Sequence, residues 1–153
     1  MHLSEIKFRP NVAGILRNPQ GEILVCERLG MAGAWQFPQG GIDDGETHEE
    51  ALERELGEEI SIESGDFKVL DKRGPYRYLF GNGKSKRGYH GNEQHYLLAD
   101  FVGCPSRINL ATKKPEFQNH QWIRPHDFRM QWLPEMKREV YRTVFREFFS
   151  IKI

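Results

Sequence analysis

Apolar residues along this chain fall into short runs separated by turn-forming residues, with two stretches of helical period. Val12 to Leu16 and Ile23 to Cys26 read as strands, and Asn18-Pro-Gln-Gly21 between them supplies the turn of a hairpin. Trp35-Gln-Phe37 reads as a short strand stopped by Pro38. Phe67 to Leu70, Tyr76 to Phe80 and Tyr96 to Val102 continue the series, and Gln121 to Ile123 closes it. Leu52, Leu56 and Ile60 recur every four residues, the spacing of one buried helix stripe. Thr47 with Glu50 three residues on is a capping box that starts this helix near His48. From Pro134 onward, Val140, Tyr141, Val144, Phe145, Phe148 and Phe149 repeat at helical spacing and predict a terminal helix whose stripe is core packing. Strands with one central and one terminal helix predict a sheet covered by helices.

The central helix carries the candidate chemistry. Glu55, Glu58 and Glu59 stand at i, i+3 and i+4, which puts three carboxylates on one helix face, largely off the apolar stripe. Most glutamate-rich helices are solvated and laced with Lys or Arg four residues away. Here seven glutamates lie between Glu46 and Glu59, and Arg54 is the only Lys or Arg among them. Such a cluster repels itself unless something neutralises it, and a divalent cation with hard oxygen ligands does so. The glycine-bearing loop Gly40-Gly-Ile-Asp-Asp-Gly-Glu46 leads straight into the helix and lets a phosphate-carrying substrate approach. The pattern points to a metal-dependent enzyme acting on phosphates. Gly57 inside the helix costs about 1 kcal/mol relative to alanine, and close packing is one reason for it.

Gly40, five residues, Glu46, seven residues, then Arg54-Glu55-Leu56-x-Glu58-Glu59 resembles the Nudix box. One position departs: the family's glycine just after the helix is Ser61 here, a residue that takes the left-handed conformation less readily, which leaves the helix exit open but not the carboxylates. The likeness extends to Phe8-Arg9-Pro-Asn-Val12, Trp35-Gln-Phe-Pro-Gln-Gly-Gly41, Pro115-Glu116-Phe117, Trp122 and Lys137-Arg-Glu-Val-Tyr141. These are similar to the branch holding bacterial RNA 5′-pyrophosphohydrolases and related diadenosine tetraphosphate hydrolases. The resemblance implies an α/β (α+β) fold, an α/β/α sandwich around a mixed β-sheet, as one Nudix domain over residues 1–153. It implies Mg²⁺, with Mn²⁺ an alternative, held by Glu55, Glu58, Glu59, Glu116 and the Gly40 carbonyl. It also makes Glu46 and Arg54 a structural ion pair.

Pyrophosphate hydrolysis is in-line attack of water on phosphorus, and positioning with charge neutralisation carries most of the catalysis. Glu55 or Glu116 would orient or deprotonate the water; the sequence leaves that choice open. Arg9 and Arg28 suit bidentate phosphate binding, with a solvated strand-end charge as the alternative for Arg28. Lys84, Lys86 and Arg87 sit in a glycine-rich basic loop, Gly81 to Gly91, that should be mobile and could follow an RNA backbone or be an ordinary solvated loop. Lys137 faces the substrate by resemblance, and Met136 beside it offers an apolar surface for a terminal base. His90 and His95 are read as solvated or structural, and His120 and His126 as flanking the last strand.

Composition narrows the setting. The 153 residues suit one domain with a proper core. Formal net charge is zero, so no global field draws the chain to nucleic acid and any basic patch is local. No apolar run is long enough to span a membrane, and Met1 to Lys7 lack a signal-peptide core. Cys26 and Cys104 stand apart and read as buried thiols, as suits a reducing cytoplasm. The leading expectation is removal of pyrophosphate from an RNA 5′ end. The alternatives are a dinucleoside polyphosphate hydrolase and a non-catalytic Nudix regulator that binds nucleotide or RNA. The oligomeric state is left open, a monomer being one option.

Overall fold

In a computed structural model that describes residues 5–153, the elements run β1 (Phe8–Arg17), β2 (Ile23–Arg28), β3 (Trp35–Gln36), β4 (Gln39–Gly41), α1 (His48–Ile60), β5 (Phe67–Leu79), β6 (Gly91–Phe101), β7 (Phe117–Ile123) and α2 (Glu135–Phe149). The strands form one sheet with the order β3-β2-β1-β6-β5, while β4 pairs with β1 and β7 with β2. β1 and β6 run parallel, from Phe8 opposite Gly91 to Arg17 opposite Asp100, and the other pairings are antiparallel. The sheet is therefore mixed.

Strand alternation divides the core into two layers. Val12, Leu16, Leu24, Cys26 and Leu97 pack with Leu52, Leu56 and Ile60 of α1 on one face. Ala13, Ile15, Ile23, Val25 and Tyr96 pack with Tyr141, Val144 and Phe145 of α2 on the other. The α/β/α sandwich follows directly from this alternation. Phe37 and Tyr141 stack with centroids 5.2 Å apart, and the Phe37 N–H donates to the Tyr141 hydroxyl at 3.1 Å. That contact seats α2 beneath the segment leading to the acidic loop.

α1 begins as its capping box requires: the Glu50 N–H donates to Thr47 Oγ1 at 3.1 Å and the Thr47 N–H to Glu50 Oε1 at 2.9 Å. Its exit, left open by the sequence, keeps the left-handed form. Ser61 takes the left-handed conformation at φ 67° and steadies it by donating its hydroxyl to the Asn109 carbonyl at 2.8 Å. Gly57 has no tight neighbour, since an added Cβ would meet only the Ile62 carbonyl at 3.6 Å, and close packing does not account for it.

Phe67–Leu70 and Tyr76–Phe80 are not two strands but one, β5, with register shifts at Val69/Asp71 and Arg73/Tyr76. Gly74-Pro75 breaks the sequence pattern there, because proline has no N–H for the ladder and is accommodated at an irregularity. The last strand is longer than Gln121–Ile123 and contains His120, while His126 lies in the turn after it. Cys26 is buried as expected, but Cys104 is exposed; both are free thiols. Among the described residues no helix is long and apolar enough to cross a membrane. The expectation for Met1 to Lys7 falls partly outside the described residues.

Candidate active site

The acidic loop closes tightly on α1, and glycine makes the approach possible. A Cβ at Gly40 would collide with the Glu55 carboxylate, and one at Gly41 with the Arg9 guanidinium. Arg54 ties the loop to the helix: Nε reaches Glu46 Oε2 at 2.8 Å, and Nη2 donates to Glu46 Oε1 at 2.9 Å and to the Gly41 carbonyl at 2.7 Å. The same guanidinium contacts Glu55 Oε1 at 2.8 Å. Hydrogen bonds from Arg54 and from the Asp43 N–H hold the Glu46 carboxyl down to about 2. Outside the loop, Lys72 on β5 offsets part of the helix charge by pairing with Glu49 at 3.3 Å.

The three helix carboxylates are not equivalent. Glu58 is 61 % exposed and Glu55 is 13 % exposed at their side chains, whereas Glu59 as a residue is only 4 % exposed. Glu59 therefore lies at the edge of the buried stripe rather than off it. Burial first, and then the Glu55 and Glu116 charges, push its carboxyl well above the usual range, and burial also raises Glu55. Glu59 Oε1 is buried without a hydrogen-bond partner.

Around these acids lies a hollow of about 380 Å³ whose lining includes Gly40, Glu55, Glu58, Glu59, Glu116, Arg9, Arg28, Lys86, Arg87 and Lys137. Lys84 is not among the lining residues. Lys86 and Arg87 reach the hollow because Lys86 and Tyr89 exchange backbone hydrogen bonds at 2.8 and 3.0 Å, closing a hairpin with positive φ at Arg87 and Gly88. The basic loop is thus shaped by a defined turn. Lys137 is buried and donates to Gln36 Oε1 at 3.1 Å; burial, with Arg28 and Lys86 nearby, lowers its pKa to about 8. Met136 faces a different hollow, between β5 and α2, so it is not placed as a base platform beside the carboxylates.

Glu116 and Arg28 are stitched together by backbone. The Leu29 N–H donates to the Glu116 carbonyl at 2.9 Å, and Gln118 accepts from the Gly30 N–H at 3.0 Å while donating to Glu27 Oε1 at 3.1 Å. A register shift between β2 and β7 at Glu27/Arg28 makes room for this, as bulges beside sites commonly do. Asn11, Gln36, Gln39, Phe80, Asn92 and Phe117 also line the hollow and were not singled out from the sequence. Their signal was available in part, because amides at Asn11, Gln36 and Gln39 interrupt apolar strand segments. The histidines take structural places: His90 Nδ1 accepts from the Lys7 N–H at 3.0 Å, and His95 stacks on His48 with centroids 4.0 Å apart.

The NUDIX domain signature matches residues 7–148. The chain belongs to the Nudix family. An RNA pyrophosphohydrolase of Erythrobacter litoralis is 37 % identical over 96 % of this chain and 94 % of its own length. One from Pseudomonas paraeruginosa is 39 % identical over 92 % of this chain and 91 % of its own. Among solved structures, an Ap4A hydrolase complex from C. elegans superposes with a TM-score of 0.59 at 21 % identity, covering 78 % of this chain and 82 % of that one. The E. coli dihydroneopterin triphosphate pyrophosphohydrolase superposes with a TM-score of 0.64 at 14 % identity, covering 93 % and 97 %. These two likenesses speak to the fold. The family match and the curated relatives make the protein a hydrolase of pyrophosphate bonds.

Nudix hydrolases generally need a divalent metal, and the residues of this Nudix site fit one. The donors are hard carboxylate oxygens, burial and neighbouring carboxylates oppose the ionisation of Glu55 and Glu59 without a cation, and Glu59 Oε1 lacks any other partner. Among the described residues no three such side chains converge on one point, and Arg54 contacts Glu55 at 2.8 Å and Glu58 at 3.5 Å.

Proposed function

We propose that this Nudix hydrolase removes pyrophosphate from 5′-triphosphorylated RNA and leaves a 5′-monophosphate. The observation that carries the substrate class is the Lys86–Tyr89 hairpin, which puts Lys86 and Arg87 on the same hollow as the carboxylates. Cations beyond those on the reacting phosphates suit a substrate that continues as a phosphodiester backbone, which RNA has and a dinucleoside polyphosphate lacks. The names of the curated relatives support the same choice.

In the proposed site, Glu55, Glu58, Glu59, Glu116 and the Gly40 carbonyl would hold Mg²⁺, for which Mn²⁺ could substitute. Such a cation, when bound, would supply neutralisation of phosphate charge and a lowered pKa for the attacking water. Arg9, Arg28 and Lys137 orient the phosphate chain. Water adds to the α-phosphorus, the bond to the bridging oxygen breaks with its electron pair on the pyrophosphate, and Glu55 or Glu116 takes the water's proton. The whole chain, 1–153, acts as one domain, in a cytoplasmic setting that keeps Cys26 and Cys104 reduced; a monomer is enough for the site as drawn.

The test is a side-by-side Mg²⁺ assay on a short 5′-triphosphorylated RNA and on diadenosine tetraphosphate, with Glu58→Gln as control. Faster pyrophosphate release from the RNA is expected, with loss of most turnover in the variant. Faster cleavage of the dinucleotide replaces the RNA assignment with nucleotide clearance. Binding without turnover in the wild type would make the protein a regulator.

A further inference from the structure

The carboxylate cluster opens on two sides. Beyond the hollow that holds the arginines, Glu55, Glu58, Glu59 and Glu116 also border a second hollow of about 530 Å³, whose remaining lining includes Thr112, Lys113 and Lys114. Both lysines are exposed, and neither is ion-paired among the described residues. Thr112 Oγ1 is shielded from water without a partner, as is Glu59 Oε1, so each hollow border keeps unanswered polar atoms. The wall is held in place from below. The Asn109 N–H donates to the Ile60 carbonyl at 3.0 Å, Ser61 donates back to the Asn109 carbonyl at 2.8 Å, and the Thr112 N–H donates to Leu110 at 2.9 Å.

In-line displacement needs two approaches to phosphorus, one for the attacking water and one for the leaving group. A cluster that is reachable from a single side serves both poorly. Here the second side carries two exposed, unpaired cations, which select a multiply charged anion over water. The first hollow already supplies cations for the retained nucleotide. We infer that the second hollow, through Lys113 and Lys114, receives the departing pyrophosphate. The inference rests on the pyrophosphate release proposed above.

The test compares product inhibition in the full-length enzyme with Mg²⁺. Replacing both lysines (K113A/K114A) should raise the inhibition constant of inorganic pyrophosphate by at least ~tenfold, the loss expected from removing two charge-assisted contacts. Inhibition by 5′-monophosphorylated RNA should stay within about twofold, because that product keeps its cations in the first hollow. The K113R/K114R variant should restore pyrophosphate inhibition. Matching thermal melts show that all three proteins are folded. An unchanged pyrophosphate constant overturns the inference, and so does an equal weakening of both products, which would mean a diffuse field rather than a site. Should RNA fail as a substrate while diadenosine tetraphosphate is cleaved, the RNA assignment fails on its own. Inhibition of the dinucleotide reaction by its polyphosphate product, adenosine triphosphate, set against adenosine monophosphate, then decides separately whether the second hollow receives the leaving polyphosphate.

Discussion

The Glu55 carboxylate occupies the space that a side chain at Gly40 would need. The obstruction is the mobile end of a glutamate, not backbone, so Gly40→Ala should fold with a melting temperature close to wild type. The methyl would instead push Glu55 off the position from which it faces the hollow. A displacement of about an ångström in a catalytic group can cost on the order of 10²-fold in rate. Turnover of Gly40→Ala should therefore fall by one to two orders of magnitude, measured alongside a thermal melt. A variant that unfolds, or one that keeps full activity, contradicts the steric account.

Glu59 offers a way to separate metal binding from folding. Burial, then the Glu55 and Glu116 charges, raise its carboxyl, so without a cation the folded protein holds it protonated at neutral pH. Glutamine has nearly the same shape and the same neutrality. Glu59→Gln should melt within a few degrees of wild type in a chelating buffer. On adding Mg²⁺ the wild type should gain stability by mass action, about 2.7 kcal/mol at a hundredfold excess over the dissociation constant. The variant should gain little of it. If Glu59→Gln is strongly destabilised in the chelator, Glu59 is a charged structural group and the assignment to the metal set is wrong.

The parts of this fold that could be read from sequence are those fixed by neighbours in the chain. The α1 cap at Thr47 and its Leu52, Leu56, Ile60 stripe are local signals, and the two apolar layers follow from strand alternation. β4 carries no such signal. Gln39-Gly-Gly is neither apolar nor alternating, and it becomes a strand only because Asn11–Ala13 lies beside it. The first half of β7, before the Gln121–Ile123 segment read from the sequence, hid for a related reason: Gln118-Asn-His-Gln121 is polar, and its pairing with β2 is a tertiary fact. The burial of Glu59 was missed because helix spacing gives a direction, not the depth of the neighbouring sheet. Lys113 and Lys114 were not singled out from the sequence; the Ser61–Asn109 contact anchors the segment that brings them beside the acids.

Lys137 should give the enzyme an alkaline limit. Its ammonium is buried, contacts Gln36 Oε1 at 3.1 Å, and is pushed down to about 8 by burial first and by Arg28 and Lys86 next. In the proposed site the protonated form is the one that would hold phosphate, so in free enzyme this contact should be lost as pH rises through about 8. The profile of kcat/KM should step down there, by about tenfold for one charged hydrogen bond. Bound phosphate favours the ammonium, so kcat itself should hold to higher pH. Stability moves the other way. The unfolded lysine titrates near its ordinary value of 10.5, so between about 8 and 10.5 the unfolded chain binds more protons and this residue's contribution to stability rises with pH. Below 8 the cost of burying the charge is present in full. Lys137→Met should therefore melt above wild type at pH 7, with the gap closing toward pH 10.5, while its kcat/KM is low and its alkaline step is gone. Melting curves and initial rates across that range check both signs. A wild-type kcat/KM that stays flat from pH 7 to beyond 9, or a methionine variant that melts below wild type at pH 7, would show that the buried ammonium is answered by a partner other than substrate phosphate.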